Sequence, residues 1–133
     1  MLILAVGVAS AVNPDDFKCP DGYEKIGTAS YNGYEFRNAD NQNLDIYDWD
    51  GLTNIWFGNY DSHSCWHYDN NIYAYTDAGF CGYEELVEHD GKTYLIVSFL
   101  RTSSVGSDIP DSLYENLLEF NELNNLEPIP VER

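Results

Sequence analysis

The amino-acid sequence predicts a mainly β protein, a curled or closed antiparallel sheet of up-and-down hairpins with one helix packed outside it. Short runs rich in β-branched and aromatic residues alternate with Asn-Gly and Asp-Gly turn signals through most of the chain. Helical periodicity appears once, near the C-terminal end, from Pro110 to Leu126. At 133 residues there is room for one well-buried core rather than two.

Met1 to Ala11 is apolar and ends in Ala9-Ser10-Ala11, which reads as a secretory signal cleaved before Val12, although it is short and has no basic n-region. Residues 12–133 then form the single domain. Asn13 to Lys18 is a polar arm leading to a turn at Cys19-Pro20-Asp21-Gly22. Tyr23 to Ser30 and Tyr34 to Arg37 are strands around an Asn32-Gly33 type I′ turn. Leu44 to Trp49 alternates like a half-buried strand before Asp50-Gly51, and Thr53 to Phe57 and Ser62 to Tyr68 follow as further strands.

Tyr68 to Arg101 holds the clearest pairing. Asp69-Asn70-Asn71 is a tight turn, and the sequence from there to Tyr83 reads as one strand with a bulge at Ala78-Gly79. His89-Asp90-Gly91 supplies a hairpin turn, and Lys92 to Arg101 is the return strand. In the helix, Pro110 suits the first turn, and Ser112 with Glu115 has capping-box spacing. Leu113, Tyr114, Leu117, Phe120 and Leu123 make its apolar stripe, and Pro128 and Pro130 prevent its continuation.

Six basic residues against 23 acidic ones give a net charge of −17, which repels nucleic acid and anionic lipid. No apolar run approaches the roughly 18 residues of a membrane span. Three cysteines, Cys19, Cys65 and Cys81, suit an exported protein with one disulfide and one thiol left over, and parity alone leaves the pairing open. No Asn-x-Ser/Thr sequon occurs.

His63, Cys65 and His67 alternate and would share a strand face, but no second motif offers the fourth ligand that structural zinc needs, so no metal is expected. Asp45, Asp48 and Asp50 miss the spacing of a calcium loop and read as a polar strand end. No nucleophile-elbow, zincin, phosphate-loop or dinucleotide motif is present, so neither an enzyme nor a cofactor is expected. Aromatic residues make up 15% of the chain, among them Trp56, Trp66, Tyr73, Tyr75, Tyr83 and Tyr94, enough to line a cavity.

The order of features in the last half of the chain resembles the lipocalin family. Tyr68-Asp69-Asn70 is similar to that family's turn at its Asp, Ile72 to Cys81 to its seventh strand and cysteine, Leu95 to Thr102 to the strand ending in an Arg, and Asp111 to Leu126 to the outer helix. Lys25-Ile26-Gly27-Thr28-Ala29 is similar to a mid-barrel strand of invertebrate members. The chain departs from the pattern in having no Gly-x-Trp after its N-terminus and less sequence than eight strands require.

The resemblance implies a lipocalin-like up-and-down β-barrel with an outer helix, and a secreted protein that carries a small hydrophobic ligand such as a pigment, retinoid, bilin or lipid. It implies a Cys19–Cys81 disulfide with Cys65 free, and structural roles for Asp69 and Arg101, the latter packed over an aromatic ring. On the barrel reading, strand position puts Trp66, Tyr75, Phe80, Leu95 and Val97 in the cavity, subject to a one-residue choice of parity. Cys19-Pro20-Asp21-Gly22-Tyr23 is also similar to the start of C-type-lectin-like modules, which supports the alternative of a secreted protein–protein interaction domain with a filled core.

Overall fold

The computed structural model describes residues 11–49, 65–77, 79–101 and 108–131. They form one antiparallel sheet in two runs of neighbouring strands. The first comprises β1 (Glu24–Thr28), β2 (Tyr34–Arg37) and β3 (Asn43–Asp48). The second comprises β4 (Cys65–Asp69), β5 (Ile72–Asp77), β6 (Phe80–His89) and β7 (Lys92–Arg101). β7 returns to pair with β3 from Asn43↔Phe99 to Asp48↔Tyr94, giving the order β1-β2-β3-β7-β6-β5-β4. The expected strands around Thr53 to Phe57 and the turn at Asp50-Gly51 lie outside the described residues.

Turn chemistry sets much of this order. Asn70 and Asn71 take positive φ (40° and 63°) between β4 and β5, as Asp90 and Gly91 do (50° and 80°) between β6 and β7. Two expectations are corrected. The stretch from Asn71 to Tyr83 is two strands rather than one bulged strand: Asp77 pairs with Phe80 across a two-residue loop, where Gly79 adopts φ 89°. The positive-φ pair expected at Asn32-Gly33 falls one residue earlier, on Tyr31 and Asn32 (55° and 58°), while Gly33 sits at φ −73°. Gly33 meets a different demand, since a Cβ there would lie 2.5 Å from the Tyr47 ring.

The helix α1 (Asp111–Asn124) lies across one face of the sheet. Pro110 precedes its first turn with no side-chain cap, so the Ser112/Glu115 capping box is not formed; Ser112 Oγ instead accepts from Gln42 Nε2 at 2.7 Å. At the other end Asn125 turns left-handed (φ 52°), and the amides of Asn125 and Leu126 return to the carbonyls of Glu122 and Asn121 at 3.3 and 2.8 Å. This is a Schellman closure, and it satisfies two carbonyls that the helix leaves open.

Strand alternation divides the core into two layers. Leu113, Leu117 and Phe120 of α1 pack on Phe36, Leu44, Ile46, Ile72, Val87 and Ile96, all buried. Leu123, expected in the same stripe, is 40% exposed, and Asn121 is buried in its stead. The opposite face carries Tyr47, Cys65, Tyr75, Leu86, Leu95, Val97 and Phe99, likewise buried. β7 therefore reads as a continuous apolar run because both of its faces are covered.

β6 and β7 approach closely at Gly82, where an added Cβ would collide with the Ser98 carbonyl oxygen and stand 2.7 Å from Phe99 Cα. Backbone atoms of a doubly buried strand cannot yield as a flexible side chain can. Gly82→Ala is expected to lower unfolding stability by on the order of 2–4 kcal/mol, read as a drop in denaturant midpoint at constant m. An unchanged midpoint would show that the two strands can move apart there.

Candidate functional site

On the helix side, the outer strands and the approach to α1 form an open cleft of about 560 Å³. Trp66 and Tyr68 project from β4, Ala74 from β5 and Tyr83 from β6; Asp108, Ile109, Pro110 and Asp111 close it from the other side. These strand residues share a face because Trp66 pairs with Ala74 and Ala74 with Tyr83. Pro110 holds the chain extended (φ −59°, ψ 133°) until α1 begins, which keeps Asp108 to Pro110 lying along the cleft.

The cleft wall is braced by a triangle of rings. Tyr68, Tyr83 and Tyr114 meet edge to face, with centroids 4.9, 5.0 and 5.3 Å apart. Tyr114 donates its hydroxyl to Asp69 Oδ2 at 2.8 Å, tying the first turn of α1 to the end of β4. Burial, reinforced by that hydrogen bond, pushes the Tyr114 phenol up to about 12, and burial raises Tyr83 further. These hydroxyls stay protonated at neutral pH, and the Tyr114 proton is held by Asp69. Asp69, expected to be structural, is placed by this contact.

The five residues expected in one cavity do not share a face. Tyr75, Phe80, Leu95 and Val97 belong to the layer opposite the helix, where Tyr75, Leu95 and Val97 are buried; Trp66, 38% exposed, lines the cleft. The cause is period-two alternation, since Trp66 pairs with Ala74 while its neighbour Cys65 pairs with Tyr75. Arg101 places its guanidinium carbon 5.5 Å from the Phe80 ring centroid, a cation–π stack at the end of β7.

No Cys19–Cys81 bridge is formed, and the three cysteines carry free thiols. Cys19 packs against the helix-side core, where burial pushes its thiol up to about 12. Cys65 and Cys81 are buried and their thiols are raised as well, first by desolvation. Neutral thiols are poor nucleophiles and poor metal ligands. His63 lies outside the described residues, while the His67 ring stands against Tyr73 with centroids 5.5 Å apart. Among the described residues no three of His, Cys, Asp and Glu converge as a metal site.

Sequence reasoning missed a set of buried carboxyls. Asp45 and Glu84 face away from the helix on either side of Val97, which pairs with both. Tyr47 donates to Asp45 Oδ2 at 2.7 Å and Cys65 to Glu84 Oε1 at 3.4 Å. On the helix face Glu85 accepts from Asn121 Nδ2 at 2.6 Å. Among the described residues, Asp45 Oδ1, Glu84 Oε2 and Glu85 Oε2 have no hydrogen-bond partner. Burial pushes Asp45 up to about 7 and Glu84 and Glu85 up to about 8, against the smaller opposing effect of those hydrogen bonds. Alternation itself was the available signal: two adjacent acids in an otherwise buried strand must send one carboxyl to each face.

Comparison of the chain with family models, with curated proteins and with solved structures finds no match. The cleft and the buried carboxyls therefore carry the functional argument by their own chemistry.

The carboxyls also set a pH dependence. All three have folded values above their unfolded ones, so between about pH 4 and pH 8 the folded state binds more protons. Their contribution to stability is complete below about pH 4 and is lost as the pH rises through 7 to 8. Thermal melts should show Tm falling from pH 5 to pH 9, with on the order of a few kcal/mol lost in total. The double variant Glu84→Gln, Glu85→Gln should flatten that slope; a Tm that climbs over the same interval would mean the carboxyls are ionised in the folded protein.

Proposed function

We propose that this chain is an exported, non-enzymatic protein that binds a small ligand in the cleft between β4–β6 and the start of α1. The observation that carries the proposal is a concavity of about 560 Å³ with three aromatic walls, bounded by apolar Ile109 and Pro110. That volume falls in the range of small-molecule sites, and the mix of ring surface with a few polar groups is their usual lining. Tyr68, 47% exposed, and Trp66 offer ring surface that no described core residue covers. A lipocalin-like curled sheet with an outer helix is part of the same proposal. It is supported by the antiparallel order, the helix α1 on one face and the Asp69 and Arg101 contacts. On that reading Tyr75, Leu95 and Val97 fill the concave interior with side chains, and the ligand sits beside the helix.

A filled-core interaction domain is the competing reading, favoured by the burial of side chains on both faces of the sheet. The two readings part on ligand binding. Titration with a panel of small lipophiles that includes neutral, anionic and cationic members should give saturable quenching of tryptophan emission at micromolar concentration, about −8 kcal/mol. Trp66→Phe should remove most of the change, and Ile109→Trp, which fills the cleft, should weaken binding by at least about tenfold, or 1.4 kcal/mol. Binding that survives Ile109→Trp but fails in Val97→Trp would move the site to the opposite face. No saturable response from any member would leave the interaction domain.

A further inference from the structure

We infer that the cleft selects organic cations, alkylated ammonium ions in particular, over neutral or anionic molecules of the same shape. This rests on the cleft being the binding site, and it follows from which charges line it. Asp108 and Asp111 both contribute to the wall, and among the described residues no lysine or arginine does. The described basic side chains that make contacts make them elsewhere: Lys25 with Asp15, Arg37 with Glu35, Lys92 with Asp48, and Arg101 over Phe80. Among the described residues neither Asp108 nor Asp111 is ion-paired. The net charge of −17 adds a field of the same sign over the whole molecule.

One local charge opposes this choice, and its size decides the matter. The amino-terminal end of α1 presents about half a positive charge, which would favour an anion if it stood alone. Two carboxylates at the same place outweigh it about fourfold in charge. An anionic lipophile such as a fatty acid would meet that excess directly.

The rings supply the second half of the recognition. Trp66 and Tyr68 are 38% and 47% exposed, so part of each ring is open to a cation arriving from solvent. A cation within about 6 Å of a ring centroid is attracted by the quadrupole, most strongly to Trp and then to Tyr. A bare ammonium is tightly hydrated and gives up that water at a cost, whereas methyl groups reduce hydration and add apolar contact with Ala74, Ile109 and Pro110. Alkylated ammonium ions therefore fit better than lysine-like amines.

Choline and benzyltrimethylammonium provide the test, alongside the neutral carbon isostere of choline, in which a tert-butyl group replaces trimethylammonium, and tert-butylacetate as the anion. Calorimetric titration of the full chain should show choline binding at least about tenfold tighter than its isostere and no saturable binding of the anion. Raising the salt should weaken choline and leave the isostere unchanged. Asp108→Asn and Tyr68→Leu should each lower affinity for choline several-fold, with circular dichroism showing that both variants are folded. Asp108→Asn should lower affinity for choline more than affinity for the isostere. Equal affinity for choline and the isostere overturns the charge selection while leaving the cleft as the site. Failure of the cations together with saturable, Ile109→Trp-sensitive binding of a neutral lipophile has the same meaning. If no ligand of any charge binds, both this inference and the binding function fall.

Discussion

Everything in this molecule depends on the continuous ladder between β6 and β7, which runs from Phe80↔Arg101 to His89↔Lys92 and is covered on both faces. A strand pair buried on two sides must satisfy its own backbone groups and place apolar side chains both up and down. The Asp90-Gly91 turn gives the pair its register, and Gly82 lets the two backbones close at the far end. β3 and β5 then extend the pair on either side, and α1 covers one of the two faces.

The same constraint explains the buried acids. Glu84 and Glu85 are adjacent in a strand with no solvent-facing side, so one carboxyl enters each layer. Neither has a basic partner among the described residues, and a lone charge in a low-dielectric interior is too costly to keep. Burial therefore favours the neutral acids, which can donate as well as accept. Asn121 opposite Glu85, and Cys65 opposite Glu84, are the polar contacts the interior provides. Such an arrangement suits an acidic protein, because it keeps three carboxyls from adding to a surface charge that is already large.

The cleft arises where this order ends. β4 is the last strand on its side of the described sheet, and among the described residues no further strand covers Trp66 and Tyr68. α1 begins only after Pro110, and Tyr114 in its first turn reaches Asp69 and the rings of Tyr68 and Tyr83. That contact fixes one wall and leaves the space between the helix approach and β4 open.

Local chemistry alone was sufficient for the mainly β class, the β7 strand, the Asp90-Gly91 hairpin and the helix that follows Pro110, since each is written in propensity or turn residues. Three things needed the folded chain. The split of Asn71 to Tyr83 into β5 and β6 turned on the pairing of Asp77 with Phe80, since a turn signal there is the same as that of a bulge until pairing partners are known. The side on which Trp66 falls, apart from Tyr75, Phe80, Leu95 and Val97, depended on register, and a shift of one residue exchanges the faces of a strand. The cleft itself joins residues about forty positions apart, Trp66 and Tyr68 with Ile109 and Asp111. No local pattern encodes that meeting, because it is set by where the helix lands on the sheet rather than by anything within reach of either segment.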